Sequence, residues 1–230
     1  MALFRRSPKA EAADVPDAST DAVEAPRADH EGPWDVSEVP ERGARIDLGS
    51  LWVPGVQGME VRMEVDQKTQ RVTGVGIALN GSALQIQAFA APRREGIWDE
   101  IRAEIAESVV KQGGSVDDVP GTFGRELLAR LPARTADGRT GHRPARFIGH
   151  DGPRWFLRGV VSGKAAIDVD AAKELEAVFG GTVVLRGDDA RPPRDLLELT
   201  LPGGATPAEQ TPAEPTLDPL TRGPEITEIH

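Results

Sequence analysis

The chain has 230 residues, a formal net charge of −10 and no cysteine. Without cysteine, the protein has no disulfide bond, no thiolate nucleophile and no cysteine-ligated zinc site. The lack of cysteine fits a cytoplasmic location, which we expect for this protein. The chain also has no run of the ~20 apolar residues that a membrane-spanning helix needs, so we expect no stable membrane insertion.

The uneven distribution of charged and apolar residues predicts one folded domain between two tails. Residues 1–31 and 203–230 are rich in proline and acidic residues, and they have too few large apolar residues to offset the entropy of ordering. We therefore predict two disordered tails and a single domain over residues 32–202. Residues 1–32 contain 4 Lys and Arg against 7 Asp and Glu, and residues 203–230 contain 1 against 5. The residues between these two segments therefore carry a net charge of only −3. This balance argues against the basic surface of a nucleic-acid-binding protein.

Alternating apolar residues predict the first strands, over residues 44–53 and 59–66. In the second of these, Met59, Val61, Met63 and Val65 would face inward. Residues 71–79 and 82–91 predict a hairpin, because both positions of the connecting Asn80-Gly81 tolerate positive φ. The small residues Gly74, Gly76 and Ala78 share one face of that hairpin, where we expect a helix or another backbone to approach closely.

Two helices are predicted by their apolar periodicity. Residues 97–112 place Ile97, Ile101, Ile105 and Val109 on one stripe, and Gly113-Gly114 ends this helix. The second helix begins at Asp168 or Asp170, either of which can cap it, and Gly180-Gly181 ends it.

Between and after the helices, three more strands are predicted. Residues 124–132 fit a helix or a strand, and the nearby prolines favour the strand. Residues 133–142 are predicted to form a polar loop. Residues 182–186 and 194–201 are predicted to be strands, the second with Leu197, Leu199 and Leu201 on one face.

Residues 146–163 predict the hairpin at the centre of the fold, with a turn at residues 149–152. In its second strand Trp155, Leu157 and Val161 point to one face, and Phe156 and Val160 point to the other. A strand that is apolar on both faces belongs in the middle of a covered sheet. The predicted fold is therefore α+β, with a mainly antiparallel sheet and two helices packed against it.

Four segments resemble an uncharacterised actinobacterial family of conserved hypothetical cytoplasmic proteins. They are Gly32-Pro33-Trp34-Asp35, IDLGSL from Ile46, LQIQAFAAP from Leu84 and DGPRWFLRG from Asp151. The resemblance covers about residues 32–202. It implies no activity, cofactor or site residue, because the family is a domain of unknown function.

The histidines and paired aspartates do not predict a metal or catalytic site. His142, His150 and Asp151 are conceivable metal ligands, but their spacing matches no familiar ligand pattern. Asp168 and Asp170 are better explained as the start of a helix than as a catalytic pair. The sequence therefore predicts no catalytic residue, no metal and no cofactor.

Arginines are the remaining candidates for a binding site. Arg158 shares a face with Phe156 and Val160 in the central strand, where an unpaired guanidinium would be costly to bury. It is predicted either to pair with a carboxylate of a neighbouring element or to form an anion site with Arg154. Arg146 is a further candidate binding residue. Arg93 and Arg94 are further members of this arginine group.

Two hypotheses of function follow from the sequence. In the first, the protein is a noncatalytic cytoplasmic binding or scaffold protein that makes contacts with a protein partner. In the second, it is a small-molecule or anion-binding domain, or an enzyme, that uses the arginines. Convergent arginines in a deep pocket would favour the second hypothesis, and a flat apolar patch the first.

Overall fold

The computed structural model describes residues 32–39, 41–93, 96–134 and 140–202. Both predicted tails lie outside these ranges. The described residues form eleven strands: β1 Trp34–Asp35, β2 Ile46–Asp47, β3 Leu51–Val53, β4 Glu60–Val65, β5 Val72–Leu79, β6 Ser82–Ala90, β7 Ser115–Gly121, β8 Gly124–Arg134, β9 Thr140–Gly152, β10 Trp155–Gly163 and β11 Val183–Val184. They also form two α-helices, α1 Trp98–Lys111 and α2 Val169–Gly180.

Seven strands form one antiparallel sheet in the order β4-β5-β6-β10-β9-β8-β7. Strand β10 is the central one, as the apolar residues on both of its faces predict. The predicted α+β class, with a mainly antiparallel sheet, is confirmed. The hairpin of β5 and β6 is confirmed as well, with positive φ at both Asn80 and Gly81.

A second, smaller sheet was not predicted. Its order is β1-β11-β3-β2, and β1 and β11 pair in parallel. The single strand predicted over residues 44–53 is wrong, because β2 and β3 are separate strands that pair with each other. Gly49 lies between them with a φ of 79°, and Leu48 N–H donates to the carbonyl of Leu51 at 2.9 Å. The chain therefore turns back where a continuous strand was expected.

One face of the seven-stranded sheet, here called the inner face, holds the larger core. Helix α2 and the smaller sheet cover it, and the fully buried side chains there include Trp155, Leu157, Leu175 and Phe179. Helix α2 begins as predicted, because the Asp168 carboxylate accepts hydrogen bonds from the N–H groups of Asp170 and Ala171.

The strand predicted over residues 194–201 is not formed. Instead, this segment crosses from the large sheet to the small one through single hydrogen bonds. Leu197 N–H donates to Ala88 at 2.9 Å and Leu199 N–H donates to Val72 at 3.1 Å, while Thr200 N–H donates to Leu48 at 2.9 Å. Two of the three leucines predicted to share one face, Leu197 and Leu199, are buried in the inner core, whereas Leu201 is partly exposed.

Helix α1 packs on the opposite face of the sheet, here called the outer face. It contacts β7, β8 and β9, and a smaller core of Ile97, Trp98 and Phe156 lies beneath it. Gly113 follows the helix with a φ of 83°, which is the predicted left-handed cap.

The predicted turn at residues 149–152 is wrong, because those residues belong to strand β9. The turn lies at Pro153 and Arg154, and Arg154 has a φ of 66°. Gly149 and Gly152 serve packing instead. A Cβ atom at residue 149 would lie 2.4 Å from the Trp98 ring, and one at residue 152 would lie 2.1 Å from the Trp155 ring.

The two edge strands of the large sheet also differ from the predictions. Strand β7 was not predicted, because Pro120 followed by Gly121 resembles a turn signal. Proline is nevertheless tolerated in β7, because β7 is an edge strand. Strand β4 has a register shift between Glu64 and Val65, so Val65 is exposed instead of facing inward. Residues 133–134 and 140–142 of the predicted loop belong to β8 and β9 instead, and residues 135–139 lie outside the described residues.

Candidate functional site

The outer face of the sheet is only partly covered, and strand β6 shows this directly. The residues of β6 that point inward are buried, whereas Ala83, Gln85, Gln87 and Phe89 point outward and are partly exposed. Helix α1 covers the β7–β9 half of this face. The boundary between the covered and uncovered halves passes over β6 and β10.

Two polar contacts fix helix α1 at this boundary. Asp151 lies on β9, opposite Phe156 of β10. Its carboxylate accepts hydrogen bonds from Ile97 N–H at 2.8 Å and Trp98 N–H at 3.2 Å. The indole N–H of Trp98 donates to the carbonyl of Arg125 at 2.7 Å. Asp151 therefore caps the helix from a neighbouring strand, and the first turn of α1 is anchored to the sheet.

The environment of the Asp151 carboxyl group shifts its pKa. The residue is exposed as a whole, but its carboxylate lies against the α1 N-terminus, so close that a Cβ atom at residue 96 would be 2.5 Å from Oδ2. Desolvation by this contact raises the pKa of Asp151, and the two amide hydrogen bonds lower it only in part.

A row of aromatic rings runs from helix α1 to the uncovered half. Trp98 stacks on Phe156 with ring centroids 5.6 Å apart, and Phe156 stacks on Phe89 at 6.0 Å. The guanidinium of Arg158 lies over the Phe89 ring, 5.3 Å from its centroid. The row therefore ends in a cation–π pair that is partly exposed to solvent.

An open groove of about 270 Å³ lies between helix α1 and this row. One wall is apolar and helical, and the floor is formed by the aromatic residues and by Arg158. The lining residues are Phe89, Ile101, Glu104, Ile105, Ser108, Phe156, Arg158 and Arg194. We call this feature the outer groove.

Beyond the groove, a line of polar side chains crosses the sheet from β10 to β4. Arg158 donates to the side-chain oxygen of Gln87, and the Gln87 amide donates to the Thr73 carbonyl at 3.2 Å. Gln85 donates to the carboxylate of Glu64. Glutamine side chains thus lie between a cation and an anion on the outer face.

The small residues of β5 make room for this polar line. A Cβ atom at residue 74 would lie 2.9 Å from Gln87 Cγ and 3.1 Å from Glu64 Oε2. The predicted close approach at Gly74 therefore exists, and it is made by side chains from β4 and β6 together with the backbone carbonyl of Ile86, 3.1 Å from that Cβ position.

Arg158 has an amide partner where the sequence suggested a carboxylate. Its Nε atom is buried and has no hydrogen-bond partner. Burial lowers the pKa of Arg158, and the carboxylate of Glu64 raises it in part. An arginine remains charged under these conditions, so the groove has a cation at its floor that no carboxylate of the described residues contacts directly.

The second arginine of the groove is paired. Arg194 donates to both carboxylate oxygens of Glu104, at 2.9 and 3.1 Å, and lies 2.9 Å from a carboxylate oxygen of Glu100. These carboxylates raise the pKa of Arg194. Arg194 therefore links α1 to the crossing segment and lines the groove.

The structure does not bring the three candidate arginines together. Arg158 lies on the outer face, whereas Arg146 lies on the inner face between Glu126 and Glu176. Arg154 lies in the turn before β10, where it donates to the Gly187 carbonyl at 3.3 Å. Arg93 is exposed just after β6, and Arg94 lies outside the described residues.

The histidines are also far apart. His142 and His150 both belong to β9, eight residues from each other, which corresponds to about 26 Å along a strand. In the described ranges, no group of three or more His, Cys, Asp or Glu residues is arranged to hold a metal ion.

Sequence reasoning placed Arg158 on the correct face but missed its neighbours. Phe89 is the only aromatic residue on the outward positions of β6. An aromatic residue at such a position is a sequence signal that could have indicated this site. The contacts of Arg158 with Phe89 and Gln87 depend on the register between β6 and β10, which no local pattern gives.

Comparisons with known proteins give a family but no activity. A family model described as "Protein of unknown function (DUF3710)" matches residues 32–208, nearly the range over which the sequence resembles an uncharacterised family. No curated protein and no solved structure matches the chain. Within the described residues, no helix has the length and apolar character required to cross a membrane.

Proposed function

The chain belongs to the DUF3710 family of proteins of unknown function, and we propose that it is a noncatalytic binding domain. Its partner is a protein, and the outer groove is where a segment of that partner binds. We expect the complex to form in the cytoplasm, as the lack of cysteine suggests.

The observation that supports this proposal is the partly exposed aromatic row ending in Arg158. Phe89 and the α1 residues Ile101 and Ile105 are each only partly buried, although they form one continuous apolar surface with buried Phe156. An apolar surface bordered by polar groups is typical of a protein-binding site. Aromatic residues and arginine are also the side chains that contribute most to such interfaces.

The shape and charge of the groove indicate which segment it binds. It is open and somewhat smaller than the roughly 300–1,000 Å³ of typical small-molecule sites, so it fits one or two side chains better than a whole metabolite. An aliphatic side chain would pack between Phe89 and Ile105. A carboxylate next to that side chain would reach Arg158, whose hydrogen-bond partner among the described residues is the neutral side-chain amide of Gln87.

The polar line beside the groove supports the same kind of partner. Gln85 and Gln87 offer amide groups on a partly exposed sheet face, and such groups hydrogen-bond to a peptide backbone. We therefore propose a partner segment in which an aliphatic residue is next to an acidic residue. The alternative of an anion site built from several arginines has less support, since Arg146, Arg154 and Arg158 lie in three different places.

The test compares groove variants with a surface variant outside the groove. Affinity capture from native lysate is done with the wild type, Phe89→Ala, Arg158→Glu and Val110→Glu. Val110 is an exposed apolar residue of α1 that does not line the groove. We expect both groove variants to lose the same captured protein, at least tenfold by quantitative mass spectrometry, while Val110→Glu retains it.

A direct contact must then be shown. Benzoylphenylalanine in place of Ile105, in the groove wall, should cross-link to the captured protein at a segment that contains an acidic residue. The proposal is wrong if the groove variants retain the partner, or if cross-links form only outside the groove. A rise in melting temperature with phosphate or acetate that is lost in Arg158→Glu would instead support the anion-binding alternative.

A further inference from the structure

The inner face contains a buried charged cluster that the proposed function does not use. Arg146 on β9 lies between two carboxylates, 3.3 Å from Glu126 Oε2 on β8 and 2.5 Å from Glu176 Oε1 on α2. The side chains of Arg146 and Glu176 are 12% and 11% exposed, and that of Glu126 is 1% exposed. Two carboxylates therefore share one guanidinium inside the protein.

The two carboxylates are held very differently. Glu176 accepts a hydrogen bond from Arg146 and another from the Thr122 hydroxyl at 2.8 Å. Both oxygens of Glu126 are buried without a hydrogen-bond partner. The amides of Phe123 and Thr122 point toward the Glu126 carboxylate, but neither reaches hydrogen-bond geometry. If one of the two carboxylates is neutral, it is Glu126.

The turn between β7 and β8 lies directly on this carboxyl group. A Cβ atom at residue 121 would be 1.9 Å from Glu126 Cδ, so the backbone of the turn leaves no room for water. The turn is attached to α2 by two contacts. One is the hydrogen bond from Thr122 to Glu176, and the other is the edge-to-face contact of Phe123 with Phe179, whose ring centroids are 4.8 Å apart.

We propose that Glu126 is a proton-binding site, and that its proton holds the β7–β8 turn closed against α2. With the proton bound, the buried cluster is neutral, because one guanidinium balances one carboxylate. When the proton leaves, the cluster carries one uncompensated negative charge, which is costly to bury. The carboxylate then gains hydration by opening of the turn whose backbone lies directly against it.

The charged groups around Glu126 agree with this role. Arg146 faces it from β9 and Glu176 faces it from α2, and these are the charged neighbours that act on it among the described residues. Burial raises the pKa of Glu126 above that of an ordinary glutamate, and Glu176 raises it further. Arg146 is the main opposing influence.

The sign of the pH effect follows from linkage. A raised pKa means that the folded protein binds this proton more tightly than the unfolded chain. The stabilisation is therefore complete below the pKa of an unfolded glutamate, and it is lost as the pH rises through the folded pKa.

The test uses Glu126→Gln, which keeps the shape of the protonated side chain and cannot ionise. Melting temperatures of the wild type and variant are compared from about pH 4, below the pKa of an unfolded glutamate, to about pH 8.5. We expect equal values at the acidic end and a higher value for the variant at the alkaline end, by about 2–4 °C or more. Glu107→Gln, at an exposed position of α1, is the control and should follow the wild type throughout.

A second measurement reports on the turn itself. Hydrogen exchange at residues 121–124, corrected for the intrinsic effect of pH, should accelerate with rising pH in the wild type and not in Glu126→Gln. The carboxyl carbon resonance that disappears in Glu126→Gln should titrate above the range of exposed glutamates. The proposal would be overturned if the melting temperatures of the wild type and Glu126→Gln changed in parallel with pH. It would also be overturned if the Glu126 resonance titrated like that of an exposed glutamate.

Discussion

The indole ring of Trp98 lies directly against the backbone of Gly149, so closely that a Cβ atom at residue 149 would be 2.4 Å from ring atom Cδ2. Trp98 is the first residue of α1, and Gly149 lies next to Arg158 in the register of β9 and β10. The position of the helix over the sheet, and hence the width of the outer groove, depends on this contact.

Replacing this glycine should therefore displace the helix. We expect Gly149→Ala to lower the free energy of unfolding by about 1–3 kcal/mol, because overpacking in a filled core forces side chains or backbone to shift. Urea unfolding measures the change. Gly55→Ala is the matched control, since its Cβ would be 3.9 Å from the nearest atom, and it should change stability by less than about 0.5 kcal/mol. Equal stability of Gly149→Ala and the wild type would contradict the packing described for Trp98.

The cap that Asp151 provides to α1 predicts a second effect. Asp151→Ala removes the acceptor of two backbone N–H groups at the helix start, and should cost about 1 kcal/mol in the free energy of unfolding. Asp151→Asn keeps one acceptor oxygen and should cost less.

The pH dependence of stability distinguishes the effect of the Asp151 charge from the effect of its hydrogen bonds to the start of α1. Burial raises the pKa of Asp151, so the folded protein binds that proton more tightly than the unfolded chain does. The stability of the wild type relative to Asp151→Asn should therefore fall as the pH rises through the folded pKa. Urea unfolding at several pH values tests this. If the wild type instead became more stable relative to Asp151→Asn as the pH rises, the folded state would favour the carboxylate and the prediction would be wrong.

The contact between Asp35 and Trp155 predicts a third effect. The Trp155 indole N–H donates to Asp35 Oδ2 at 2.8 Å, and Trp155 is 1% exposed. Asp35→Ala leaves that N–H buried without an acceptor and should lower the free energy of unfolding by about 1–3 kcal/mol. Asp35→Asn should retain most of the stability. Ser37→Ala removes only the hydroxyl that binds Asp35, so a loss as large as that of Asp35→Ala would place the effect in the β1 turn instead.

Limited proteolysis should leave one resistant fragment near residues 32–202, because both ends of this range are tied to sheets. Trp34 N–H donates to the Thr182 carbonyl at 2.9 Å, and Thr200 N–H donates to Leu48. A fragment that starts at residue 41 should melt at a lower temperature than one that starts at residue 32, since it lacks β1. Two separately stable pieces from a cut near residues 114–120 would contradict a single domain.

The parts of the fold that the sequence predicted correctly are those set by neighbouring residues. Asn80-Gly81 marks the β5–β6 turn by backbone preference alone. The stripe of Ile97 to Val109 marks α1 by its period. The central position of β10 follows from apolar residues on both faces, which is also a property of one short segment.

The wrong predictions have a common physical cause, which is contact between distant parts of the chain. Gly149 and Gly152 resemble turn residues, but they are small because Trp98 and Trp155 pack on them. The buried cluster was missed because Glu176 meets Arg146 from 30 residues away and Thr122 from 54 residues away. The face of Arg158 was predictable by alternation, whereas its partners depend on strand register.

The two edge strands of the large sheet affect how the molecule behaves at high concentration. An open sheet has two unpaired edges, and each can template the addition of a strand from another molecule. The register shift at Glu64 and Val65 distorts one edge, and the exposed charged side chains of Glu60 and Arg62 make that edge less favourable for strand addition. Pro120 removes a backbone donor from the other edge. These features of the two edge strands oppose the addition of strands from other molecules. Replacing Pro120 with valine would restore the backbone donor and create an aggregation-prone edge.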